Sequence, residues 1–143
     1  MARPDPALLD PSRYPHSVEV PTRYADCDPN NHINNVALAA IIEDARVRFH
    51  TASGFGKALP KGGQVMIVNL TIDYLAQCYY PLPITACSGV VSASGRSLRL
   101  RHLLVQNGTP AALAEAVVVY VQDGKAAALP ETVTEALAQW SCG

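Results

Sequence analysis

The sequence is short of charge. Asp, Glu, Lys and Arg make up only 16% of its 143 residues, and hydrophobic residues make up 49%. That balance excludes a disordered chain and leaves enough apolar material for one core of ordinary domain size. No basic cluster stands out, and the formal net charge is −1. Nucleic-acid binding is therefore not expected, although a local group of arginines can still bind an anion. No apolar run approaches the roughly 20 residues that cross a bilayer, so no membrane partner is expected. The first fifteen residues carry Pro4, Pro6, Pro11 and Pro15 and lack the apolar stretch of a secretory signal. The four cysteines, Cys27, Cys78, Cys87 and Cys142, form no C-x-x-C pair and no regular framework. Reduced thiols in a cytoplasmic protein are the expectation. Internal repeats and low-complexity segments are also lacking.

What is there reads as one α+β domain over residues 15–143, preceded by a proline-rich arm at 1–14. Such an arm is ordered only if something holds it down. A strand follows, with Val18, Val20, Thr22 and Tyr24 on one side of its alternation. A polar loop spans 26–34. Asn34 or Asn35 then caps a helix running to about Thr51, which Gly54 and Gly56 end. Residues 36–42 are all apolar, which predicts a helix buried on nearly all sides in its first half. From Val65 to Tyr74 the even positions Met66, Val68, Leu70, Ile72 and Tyr74 predict a strand with one buried face. Further strands are expected over Ile84–Val91, Leu98–Val105 and Ala112–Val121. Gly95, Asn107-Gly108 and Asp123-Gly124 mark the turns. A short helix, Glu131 to Trp140, follows Pro130.

The functional signal lies in residues 23–48. Asp26 and Asp28 sit just before the N-terminus of the apolar helix. The first N–H groups of a helix lack intrahelical partners and carry partial positive charge. They can bind an oxyanion forming on an acyl carbonyl. A nearby carboxylate can then attack the carbonyl carbon, or deprotonate a water that does. Thioesters suit so simple an apparatus, because thiolate is a good leaving group.

Arg23-Tyr24-x-Asp26-x-Asp28-x-x-x-His32-x-Asn34-Asn35, followed by an apolar helix ending Glu43-Asp44-Ala45-Arg46, resembles the 4-hydroxybenzoyl-CoA thioesterase family of hotdog proteins. The resemblance covers roughly residues 16–125. It implies a hotdog fold, a five-stranded antiparallel sheet wrapped around a long central helix, here with a short C-terminal helix. It implies homodimers joined sheet edge to sheet edge, with active sites at the interface, that often pair again into tetramers. It implies an acyl-CoA or aroyl-CoA substrate, so that coenzyme A is part of the substrate and neither a cofactor nor a metal is called for. Asp28 matches the family's catalytic aspartate, acting as nucleophile or general base. The backbone N–H of Asn35 matches the helix donor to the thioester carbonyl, and His32 matches the family histidine. Arg96, with Ser97 beside it, falls where a basic residue contacts the phosphates of coenzyme A. Two departures stand out. Asn31 occupies a position where many members have glycine, and Tyr80-Pro81-Leu82-Pro83 replaces a Gly-Asp turn.

Other readings stay beside these. Asp28 before a proline is also a natural Asx-turn residue. Asp26 is better placed to neutralise Arg23 than to react. His32 either moves a proton or braces the loop. Glu43 pairs most simply with Arg46, as Asp44 does with Arg48. Arg99 and Arg101 mark an exposed strand face. Cys27 lies between two aspartates, which disfavours its thiolate, and a metal held by Asp26, Asp28 and His32 is not needed for thioester hydrolysis. The competing functions are a non-catalytic acyl-CoA-binding sensor and a hotdog enzyme acting on carrier-protein thioesters, as a thioesterase or a dehydratase.

Overall fold

The structure, a computed structural model, describes residues 3–142. Its elements are β1 (His16–Val20), α1 (Asn35–Ala52), β2 (Gly63–Tyr74), β3 (Ile84–Ser94), β4 (Ser97–Gln106), β5 (Thr109–Gln122), β6 (Lys125–Ala126) and α2 (Glu131–Leu137). The sheet order is β1-β3-β4-β5-β2, all antiparallel, with the two-residue β6 paired to the end of β5. This is the hotdog arrangement, five long strands around one helix. The Asn107-Gly108 and Asp123-Gly124 turns have positive φ at both residues, 50° and 78°, and 51° and 84°. That is the type I′ geometry whose twist suits a hairpin. The first strand stops at Val20, before Pro21, and Tyr24–Asp26 form a 3-10 turn instead.

β2 departs from the expected single buried face. Ile67 pairs with Val118 and Asn69 with Val117, so Val68 is a bulge. A bulge shifts the period-2 phase by one residue. Beyond it, Leu70, Ile72 and Tyr74 lie opposite Ala116, Ala114 and Ala112 on the helix side. Before it, that side belongs to Val65 and Ile67, opposite Tyr120 and Val118. β2 is also an edge strand, and Met66, Val68 and Tyr74 are exposed. The first half of α1 is likewise not buried on all sides. Leu38, Ile41 and Ile42 face the core, but Val36 is 73% exposed. Apolar helix and apolar strand thus leave one contiguous uncovered edge.

The helix-side core has two apolar parts. One gathers Val20, Ile33, Leu38, Ile42, Ile84 and Leu104 near the start of α1. The other gathers Phe49, Phe55, Leu98, Leu100, Val118 and Leu137 near its end. A polar row lies between them. His16, Ser88 and His102 are directly opposite one another across β1, β3 and β4. Ser88 Oγ and His102 Nδ1 are 2.8 Å apart. His16 Nδ1, His50 Nε2 and His102 Nε2 are buried without a hydrogen-bond partner among the described residues. Burial holds His102 down to about 3, with the charges of Arg46, His50 and His16 adding to it. Burial and Arg46 hold His50 down to about 4.

The other face of the sheet holds the arm. Tyr14 packs with Cys87, Leu103, Val105 and Leu113, and Leu8 and Leu9 lie against this cluster. Tyr14 Oη donates to Leu8 O at 2.6 Å. Arg101 is not a solvated strand residue. It is buried and paired to Glu115 at 3.2 Å, while Arg99 beside it is exposed. Gly89 is hemmed in by two distant segments. A Cβ there would lie 2.5 Å from Cys142 Cβ and 2.8 Å from Pro15 Cδ.

Candidate active site

The loop before α1 is built by its own polar side chains. Cys27 and Ile33 form an antiparallel bridge, and Asp28 N donates to His32 O at 2.7 Å. Between them the chain turns through Pro29, Asn30 and Asn31. Asp28 Oδ1 accepts from Asn30 N at 2.9 Å and from His32 N at 3.0 Å. The Asx-turn reading of Asp28 is therefore realised, but through one oxygen only. No hydrogen bond engages Oδ2 among the described residues. Asn31 has φ 66°. This is the left-handed conformation that glycine adopts freely and asparagine tolerates best among the others. The substitution at that position therefore keeps the turn.

Asn34 joins loop to helix. Its Oδ1 accepts from Ala37 N at 2.7 Å, and both its backbone N and its Nδ2 donate to Asp26 O at 2.8 Å. Leu38 N takes the Asn34 carbonyl. Asn35 N and Val36 N find no acceptor among the described residues. These two are the free donors of the helix end, with positive partial charge behind them. The Asn35 carbonyl accepts from Tyr74 Oη at 3.1 Å, which ties the helix start to the end of β2. Asp26 forms its expected pair with Arg23, Oδ1 to Nη2 at 2.8 Å, and the guanidinium holds the carboxyl below its ordinary range.

His32 is half-buried, bridged to Tyr79, with ring centroids 5.2 Å apart and edge-on. The segment carrying Tyr79 to Pro83 is positioned by Gln106, a residue sequence reasoning missed. Gln106 Nε2 donates to Tyr79 O and Leu82 O, and its Oε1 accepts from Tyr79 N. The sequence signal was a polar residue at the end of the apolar run Leu103-Leu104-Val105.

Two hollows flank the start of α1. One, of about 320 Å³, is lined by Ile33, Asn35, Leu38 and Tyr74 to Gln77. The other is a groove of about 580 Å³ between α1 and β2, running from Val36 to Arg46 and walled by Ile67 to Leu70. Asp28 and His32 line neither in a single chain. Arg96 is further away still. Ser97 pairs with Val119, and Val119 with Met66, whereas Tyr74 marks the Asn35 end. Met66 to Tyr74 spans about 25 Å of strand. One chain therefore brings Asp28, His32 and Asn35 to the same loop–helix junction and leaves Arg96 and Ser97 at the opposite end of the sheet. Glu43 is exposed, 3.8 Å from Arg46. No group of three or more His, Cys, Asp or Glu among the described residues is arranged to hold a metal ion, and no helix there is long and apolar enough to cross a membrane.

A hotdog sheet wrapped on a helix, with free amides at the helix start and a half-engaged carboxylate just before it, is suited to act on an acyl carbonyl. The model of the Thioesterase-like superfamily matches residues 22–137. The chain belongs to that superfamily. Among solved structures, a thioesterase from Thermus thermophilus, complexed with coenzyme A and Zn, is 30% identical, with a TM-score of 0.77 over 88% of this chain and 94% of that one. The PA5185 protein from Pseudomonas aeruginosa is 24% identical, with a TM-score of 0.78 over 91% and 94%. A 1,4-dihydroxy-2-naphthoyl-CoA thioesterase from Synechocystis is 16% identical, with a TM-score of 0.74 over 85% and 94%. The last two are likenesses of fold. No curated protein matches the chain.

Proposed function

We propose that this enzyme hydrolyses acyl-CoA thioesters to the free acid and coenzyme A. The observation that carries the reading is the junction itself: Asn35 N and Val36 N without acceptors, and Asp28 on the loop before them with Oδ1 anchored and Oδ2 free. The free amides receive the negative charge that develops on the thioester oxygen. Asp28 attacks the carbonyl carbon or takes the proton from an attacking water, and the thiolate of coenzyme A departs. The Thermus thermophilus relative that holds coenzyme A supports the choice of carrier.

Two copies complete the site. β2 is a twelve-residue edge with one face of its backbone unpaired. Natural sheets cover or pair such edges. Two-fold pairing of β2 with its copy sets the Tyr74 end of one chain against the Gly63 end of the other. Arg96 and Ser97 lie at the latter end, so the copy supplies the basic group for the coenzyme A phosphates. A dimer, which can pair again into a tetramer, is the working assembly.

The test is thiol release from a panel of acyl-CoAs, short, long and aromatic. Turnover of about 1 per second or faster on any member supports the reading. No release from the whole panel, with binding retained, points instead to a sensor or to carrier-protein thioesters.

A further inference from the structure

Arg46 is the unexplained residue of the groove. Its side chain is only 12% exposed, and its one ionic contact, Glu43 Oε1, is 3.8 Å away on a side chain 68% exposed. None of its five N–H donors makes a hydrogen bond among the described residues. A guanidinium withdrawn from water without acceptors is costly, and a water-screened carboxylate at that distance offsets little of it.

The position of Arg46 explains what it waits for. The groove begins at Val36, beside the free helix amides, and its helix wall continues through Ala39, Ala40 and Glu43 to Arg46. These residues recur at helical spacing along one stripe. The stripe is about 15 Å long, and helical side chains lean back toward the N-terminus. An acyl chain whose carbonyl sits at the amides therefore runs over the alanines, between α1 and Ile67 to Leu70, and ends at the guanidinium. His50 lies one helical turn beyond Arg46 on α1, and the Arg46 charge acts on both His50 and His102. Each has a buried Nε2 without a partner. The far end of the groove thus offers one buried cation without a hydrogen bond, whose ionic partner is the exposed Glu43 carboxylate, in a channel otherwise lined by apolar side chains and Asn69.

Resting on the thioesterase reading above, we infer that Arg46 selects acyl groups that carry a carboxylate at the end remote from the thioester. The substrate class is a medium-length dicarboxylic acid esterified at one end to coenzyme A. A plain alkyl end of the same length would leave the guanidinium desolvated, with only the exposed Glu43 carboxylate at 3.8 Å as partner. A carboxylate replaces the water that Arg46 loses with charge-assisted hydrogen bonds.

The experiment compares kcat/KM for adipoyl-CoA with hexanoyl-CoA, and for suberoyl-CoA with octanoyl-CoA, by thiol release. The wild-type protein is expected to favour the carboxylated member of at least one pair by about tenfold or more, the scale of one charge-assisted hydrogen bond. In Arg46→Met that ratio is expected to fall to one or below. Arg46→Lys, which keeps the charge, retains a ratio above one and controls for folding, checked by thermal melting. Thiol release with no carboxylate preference in the wild type overturns this inference alone. So does an unchanged ratio in a folded Arg46→Met protein, the result expected if a second copy pairs the guanidinium. No release from any of the four, with release from another member of the acyl-CoA panel, overturns this inference alone, and no release from the whole panel overturns the thioesterase reading and this inference together.

Discussion

Gln106 holds the backbone of Tyr79 from both sides. Its Oε1 accepts from Tyr79 N and its Nε2 donates to Tyr79 O, each at 2.8 Å, and the same Nε2 reaches Leu82 O at 2.9 Å. One buried amide thus fixes the segment that presses the Tyr79 ring against His32. Gln106→Leu strands a backbone N–H and two carbonyls, at a cost of about 2 kcal/mol. Denaturant unfolding checks the stability loss. The accompanying fall in kcat/KM, at temperatures where the variant is still folded, reports the loosened loop.

Two substitutions separate the chemistry proposed for Asp28 from the hydrogen bonds it accepts in the loop. Asn retains an oxygen for the N–H groups of Asn30 and His32 but carries no charge. Asp28→Asn is therefore expected to melt near the wild type, bind acyl-CoA, and lose about 100-fold or more in kcat. Asp28→Ala is expected to lose both turnover and about 1 kcal/mol of stability. Unchanged turnover in the Asn protein would remove Asp28 from the chemistry.

The buried imidazoles make stability fall on the acid side. The unfolded chain takes up protons on these histidines as pH drops through about 6.5. The folded chain does not until about 4 for His50 and about 3 for His102. Because the folded values are depressed, their contribution is fully present above about 6.5 and is lost as pH falls from there toward 4 and 3. Unfolding free energy measured at pH 7 and pH 5 is expected to be lower at pH 5. Replacing His102 and its partner together, Ser88→Ala with His102→Leu, makes that dependence shallower. An identical slope in the double variant would remove His102 as a source.

Assembly can be broken at the free edge. Val68 is 57% exposed at the bulge of β2, inside the edge proposed to pair with its copy. Val68→Lys puts a charge in that seam and is expected to give a folded monomer by analytical ultracentrifugation. The monomer is expected to release thiol from acyl-CoA poorly if the site is shared, because Arg96 lies at the far end of its own sheet. A fully active monomer would refute the shared site.

Much of this was legible locally. The Asn34 cap, the hairpin turns at Asn107-Gly108 and Asp123-Gly124, and the Asp44–Arg48 pair follow from residues a few positions apart. The loop from Asp26 to Asn35 was readable for the same reason, since its hydrogen bonds are nearly all internal. What the sequence did not reveal depends on register. The bulge at Val68 arises from how β2 matches β5, so the even positions read as one face when they are two. The row of His16, Ser88 and His102 joins strands far apart in the chain, and no single window shows it. Arg101 looked solvated because Glu115 reaches it from the next strand. The Glu43–Arg46 pair was readable from its spacing, but the burial of the Arg46 side chain and its lack of hydrogen bonds depend on the groove against β2.

Gly89 records where two distant parts of the chain meet. Pro15 and the Cys142 side chain both rest over it, on the face of the sheet away from α1. A linker could therefore join residue 142 to the start of the arm that leads into Pro15 without disturbing a strand, and new ends could open at the exposed Asn107-Gly108 turn. In such a circularly permuted chain β5, β6 and α2 would be synthesised before the catalytic loop. The sheet and the loop–helix junction are expected to form all the same, because the two joined segments already lie side by side over Gly89.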